Sequence, residues 1–126
     1  MQKELAIDGK TVKFKATALM PRLYRFKFGR DIVRDMTSLK KAFQKANSLP
    51  EDASEEERQE AQLSALDLTI FENAAYIMAY LADPSIPGDP DVWLDGFETF
   101  SIYEVMPTIL ELWNLNQQTT SESKKN

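Results

Sequence analysis

Cysteine and histidine are both absent from the 126 residues. No disulfide framework can staple this fold, and no thiolate can hold a metal. The missing imidazole removes the commonest general base near neutral pH and the commonest metal ligand. Glycine is scarce, at four residues, and none of them builds a phosphate-cradling loop. No serine or lysine sits in a recognisable nucleophile setting. Long apolar runs are missing too. The most apolar region, residues 63–82, is interrupted by Ser64, Asp67, Glu72 and Asn73, which excludes a transmembrane span. The opening MQKELAIDGK has no apolar stretch after its charges, so no signal peptide is read there. The expectation is a soluble, intracellular protein that is not an enzyme and needs no cofactor, metal or membrane.

What is present is enough apolar material, 43% of the chain, to build one ordinary core without staples. Residues 1–116 read as a single globular domain, and 117–126 as a polar tail without periodicity, expected to be disordered.

Charge is distributed unevenly. Residues 1–46 hold 12 Lys/Arg against 4 Asp/Glu, a balance of +8, and residues 47–126 hold 3 against 16, a balance of −13. The two halves can neutralise each other within one fold, or pair head-to-tail between copies in a salt-sensitive self-association. A dedicated nucleic-acid binder is more usually basic overall, whereas this chain carries a net −5.

Periodicity gives a mainly α fold: an N-terminal β-hairpin over 3–15, then four to five helices packed as a small bundle over 18–116. Leu5 and Ile7, then Val12 and Phe14, alternate with polar residues at the period of strands, and Asp8-Gly9 between them is a tight-turn pair. Thr17 and Pro21 mark a helix start. From there Tyr24, Phe28, Ile32, Met36, Leu39 and Phe43 share one helical face. Gly29 interrupts them, so either one helix bends or two meet at FGRD. Residues 47–59 read as an acidic linker ending in a Ser54/Glu57 capping box. One long helix is expected over 55–82, buried on most sides, with a stripe of Leu63, Leu66, Ile70, Ala74, Ile77 and Leu81. Asp89 caps a short helix, and Ser101 with Glu104 opens a last one that contains Pro107.

Two groups of residues stand out as candidate contacts. Arg22, Arg25, Arg30 and Arg34 are interleaved with aromatics in PRLYRFKFGRDIVRDM. They are read either as phosphate contacts with aromatic stacking, or as the flanks of an amphipathic helix whose aromatics are core. Trp93, Phe97, Tyr103 and Trp113 are of the types that anchor protein interfaces, with core packing the competing account. The acidic positions carry no chemistry. Glu55, Glu56 and Glu57 point in different directions around a helix. Asp89, Asp91 and Asp95 lack the EF-hand ligand pattern, so a turn is the better account.

Four segments in order carry a resemblance: LAIDGKTVKFKAT, PRLYRFKFGRDIVRDM, FENAAYIMAYLAD and DVWLDGFETFSIYEVMPTILELWNLN. Together they cover nearly everything but the acidic linker. The chain resembles the tail assembly chaperones of siphovirus-type bacteriophages and prophages of Gram-positive bacteria. The resemblance implies a small helical assembly factor that coats the tape-measure protein and brings tail-tube subunits to it. It also implies self-association, action in the host bacterial cytoplasm, and absence from the finished virion. It brings no catalytic residues. A longer form made by programmed ribosomal frameshift is implied as well, with the Lys124-Lys125 codons able to form the slippery adenine run; an ordinary solubilising tail is the competing account. The alternative is a small helical regulator that binds nucleic acid through residues 22–34.

Overall fold

Asp8 and Gly9 both take positive φ, 53° and 74°, the pair of left-handed residues that a two-residue hairpin turn requires. The turn joins β1 (Gln2–Ile7) to β2 (Lys10–Lys15) as an antiparallel pair with Leu5 opposite Val12 and Ile7 opposite Lys10. Lys3, Leu5, Ile7, Val12 and Phe14 therefore share one face. Phe14 and Ile7 are buried there. A two-stranded hairpin is barely stable alone, and this one is fastened to the rest of the chain. Its β2 strand packs on a central helix, Lys3 Nζ pairs with Glu111 Oε1 at 2.8 Å, and the Asp8 carboxylate accepts from the Glu98 N–H at 3.0 Å.

The computed structural model describes residues 2–61 and 64–125. Six helices follow the hairpin among them: α1 (Met20–Phe28), α2 (Ile32–Asn47), α3 (Glu55–Ala61), α4 (Ala65–Ala82), α5 (Pro90–Asp95) and α6 (Ile102–Lys125). The fold is mainly α with an N-terminal hairpin, as the periodicity indicates. Helix α4 is the hub. It touches β2, α1, α2, α5 and α6, and from Ile70 to Ala79 nearly every side chain is buried. Alanines 74, 75 and 79 let neighbours approach closely, while Phe71, Tyr76, Ile77 and Met78 fill the space between them. No helix among the described residues is long and apolar enough to cross a membrane.

Several local expectations change. The single helix expected over 55–82 is two. Ser64 caps a new helix: its hydroxyl accepts from the Asp67 N–H at 3.1 Å, and the Asp67 carboxylate accepts from the Ser64 N–H at 2.9 Å. That reciprocal pair satisfies amide groups a continuous helix would not leave free. Leu66 consequently lies 56% exposed instead of joining the buried stripe, and Leu63 falls outside the described residues. Part of the expected linker is α3, whose Glu57 N–H donates to the Ser54 hydroxyl at 3.1 Å. Thr17 acts two residues ahead of the α1 cap position. Its hydroxyl accepts from the Leu19 N–H at 3.2 Å, and Leu19 is the residue that precedes α1. Where a disordered tail is expected after 116, the backbone continues as α6 to Lys125. No glycine or proline follows Pro107 to stop it.

At FGRD two helices meet. Gly29 ends α1 in the left-handed region, at φ 67°, and Asp31 caps α2 by accepting from the Val33 N–H at 2.9 Å.

Candidate functional site

Helix α1 has two unlike faces. Met20 and Tyr24 point into the core with no measurable exposure, and Phe28 packs edge-to-face on Tyr24 with ring centroids 5.0 Å apart. The opposite face carries Leu19, Leu23 and Phe26 at positions i, i+4 and i+7, which line up on one side of a helix. Leu23 is half-buried, Leu19 is 47% exposed and Phe26 is 89% exposed. A phenyl ring standing almost wholly in water forgoes about 2 kcal/mol or more of available burial. Nothing in the packing of this chain calls for it.

The surroundings of Phe26 are shaped. On one side a cleft of about 400 Å³ lies between α1 and α4, floored by Leu23, Tyr76, Ile77 and Tyr80. On the other a shallower one of about 230 Å³ is bounded by Leu19, Arg22 and Arg25. The larger cleft has a fixed wall. Tyr76 donates its hydroxyl to the Pro87 carbonyl at 2.6 Å, and Lys27 Nζ donates to the Gly88 carbonyl at 2.7 Å while lying 5.6 Å from the Tyr76 ring centroid. Burial, and after it the neighbouring Tyr80 and Asp89, push the Tyr76 hydroxyl above its ordinary pKa, so it remains a neutral donor.

Helix α1 is also tied to α2. The Asp35 carboxylate, 3% exposed, accepts from the Tyr24 hydroxyl at 2.8 Å and from both Nε and Nη2 of Arg30, at 2.7 and 2.9 Å. The Tyr24 bond spans the Gly29 elbow and ties α1 to α2, and the bidentate Arg30 fork fixes the elbow on the same carboxylate. Hydrogen bonding from Arg30 is the main reason the Asp35 carboxyl sits below the usual carboxylate range, against the opposing push of burial.

The structure divides the sequence-selected residues. Arg22, Arg25 and Arg34 are exposed, and among the described residues none of them forms an ion pair. The ion pair between the basic and acidic halves among the described residues is Lys3–Glu111, which involves no arginine of α1. Arg30 is committed to Asp35. Trp93 and Trp113, at 6% and 4% exposure, are core residues, which removes them as surface anchors. Trp93 sits within an aromatic cluster of Tyr76, Phe97 and Phe100, with Phe97 half-buried. Tyr103 alone of that group stays open, 60% exposed beside Phe43. The stacking platform that a nucleic-acid reading needs is also reduced. Tyr24 faces inward and Phe28 is half-buried, which leaves the single ring of Phe26. Asp89 is the α5 cap, accepting from the Asp91 N–H, and no three acidic side chains among the described residues gather closely enough to hold a metal ion.

Sequence reasoning missed Phe26 and Asp35. Phe26 was hidden between Tyr24 and Phe28, one of three aromatics alternating with Arg25 and Lys27, whereas Asp35 had a visible signal: an acid on the apolar face shared by Ile32, Met36 and Leu39.

Compared with known proteins, the chain matches no family model, no curated protein and no solved structure.

Proposed function

We propose that the protein is a non-catalytic tail assembly chaperone of a siphovirus-type phage or prophage. It binds the tape-measure protein and recruits tail-tube subunits to it in the host bacterial cytoplasm, and it is left out of the finished virion. The ordered resemblance of four segments supports this reading. So does one structural observation above the others: a phenylalanine 89% exposed, beside arginines without ion pairs among the described residues, on a helix tied down through Tyr24 and Lys27. Exposed aromatic residues next to arginine are the composition of protein-binding hot spots. A rigid presentation lowers the ordering cost of binding.

The nucleic-acid reading is less favoured. Lys27 and Arg30 are already engaged, which leaves Arg22, Arg25 and Arg34 for phosphates on a molecule of net charge −5.

Co-expression with the products of the neighbouring reading frames tests the proposal. With this chain tagged, the tape-measure protein should co-elute, and the tail-tube protein should join it. Retention on duplex DNA at physiological salt, with neither tail protein captured, would overturn the assignment in favour of a nucleic-acid regulator.

A further inference from the structure

We propose that the ridge of Leu19, Leu23 and Phe26 seats an acidic amphipathic helix of the client protein. An apolar side chain of that helix enters the cleft between α1 and α4. The inference rests on the chaperone reading only for which protein carries the helix.

The geometry favours a helix as occupant. Helices pack by setting a ridge of one into a groove of the other. Here Phe26 is a ridge with a depression on each side, of about 400 and 230 Å³. A partner helix lying along α1 would receive Phe26 between its own side chains and fill both depressions with residues three or four apart. The larger cleft has an aromatic and aliphatic floor, so it takes a leucine- or phenylalanine-sized side chain and not a charge.

Charge sets the sign of the partner. Arg22 and Arg25 lie three apart along one flank of the ridge, exposed and without ion pairs among the described residues, while Lys27 lies on the other flank. Carboxylates at matching spacing on the incoming helix would meet the two arginines. An arginine fork holds a carboxylate bidentately, which fixes register as well as strength.

A second copy fits less well. Isologous pairing would set Arg22 and Arg25 against the same arginines of the other copy, like charge against like. The acidic α3 segment EEERQEA of another copy offers carboxylates but no large apolar side chain for the cleft.

The test uses the full chain and labelled synthetic peptides about 18 residues long, or about five helical turns. One peptide carries a leucine stripe flanked by glutamates, and the other has lysines in place of the glutamates. Anisotropy titrations should show the acidic peptide binding and the basic one not. Phe26→Ala should weaken the acidic peptide by about thirtyfold, the loss typical of an interface hot spot. The double variant Arg22→Glu, Arg25→Glu should reverse the preference between peptides. Because Phe26 is 89% exposed, its removal should leave the thermal melt unchanged, so lost binding is not lost folding.

Equal binding of both peptides, or indifference to both variants, would overturn the proposal. So would tighter binding of single-stranded DNA through the same residues, or a self-association abolished by Phe26→Ala with no peptide bound. The two readings fail separately. Tape-measure capture that survives Phe26→Ala removes this surface and keeps the chaperone. Peptide binding by a protein that captures no tape measure keeps the surface and removes the chaperone.

Discussion

Replacing Trp93 by alanine is expected to lower the unfolding free energy by about 3–5 kcal/mol, the range for deleting a large aromatic from a packed core. The indole lies 5.7, 5.3 and 5.4 Å, centroid to centroid, from the rings of Tyr76, Phe97 and Phe100, each in an edge-to-face arrangement. Those pairs add to simple burial, and the site cannot close easily because rigid rings line it on three sides. The loss should also reach the candidate docking face, since Tyr76 supports both Trp93 and the cleft between α1 and α4. Tyr103→Ala is the control. That ring is 60% exposed, and its loss should cost about 1 kcal/mol or less. Denaturant melts of the two variants separate core from surface. Equal costs would mean that Trp93 does not close the core as described.

Asp35→Ala should destabilise the protein by about 2 kcal/mol, because it leaves a buried hydroxyl without its acceptor and removes the anchor of the elbow. The Tyr24 hydroxyl, in a residue with no measurable exposure, loses its acceptor, and the Arg30 fork loses its carboxylate. Tyr24→Phe removes one hydrogen bond without leaving a buried charge unpaired, so it should cost only about 1 kcal/mol. The effect depends on pH with a definite sign. Asp35 has a folded pKa below its unfolded value, chiefly through Arg30. The folded state therefore holds the proton more weakly. The stability Asp35 supplies is fully present above the unfolded value of about 3.9 and is lost as pH falls from there through the folded pKa. The gap between wild type and Asp35→Asn should be full at neutral pH and should close on acidification below about pH 4. A gap independent of pH would contradict the ionised fork.

Much of the architecture was legible because local signals and global packing agree. Asp8-Gly9 demanded a hairpin turn, Asp89 before Pro90 demanded a cap, and the spacing from Ile32 to Phe43 named a buried face that the structure buries. The break at Ser64 was missed for a physical reason. Apolar residues continue at helical spacing through it, and only the Ser64/Asp67 pairing shows that the chain restarts there. The site was harder to read. In LYRFKF, three aromatics within five residues cannot all face inward, and the pattern alone does not say which one stays out. Packing against α4 and the anchoring of Tyr24 by Asp35 decide it, and both are tertiary. The arginines divide on the same ground. Arg30 looks like its neighbours in sequence, yet it is fixed by an acid five residues away, while Arg22 and Arg25 remain free of ion pairs among the described residues.

The most direct measurement places a photo-crosslinking amino acid at position 26 in cells that also express the tape-measure protein, with position 103 as the comparison. Both sites are exposed, so each tolerates the substitution without loss of the core. Crosslinks to the tape-measure protein from position 26, and few from position 103, are the predicted result. Crosslinks from position 103 alone, or none from position 26 while the tape-measure protein still co-elutes, would contradict the assignment of the outer face of α1 as the docking surface.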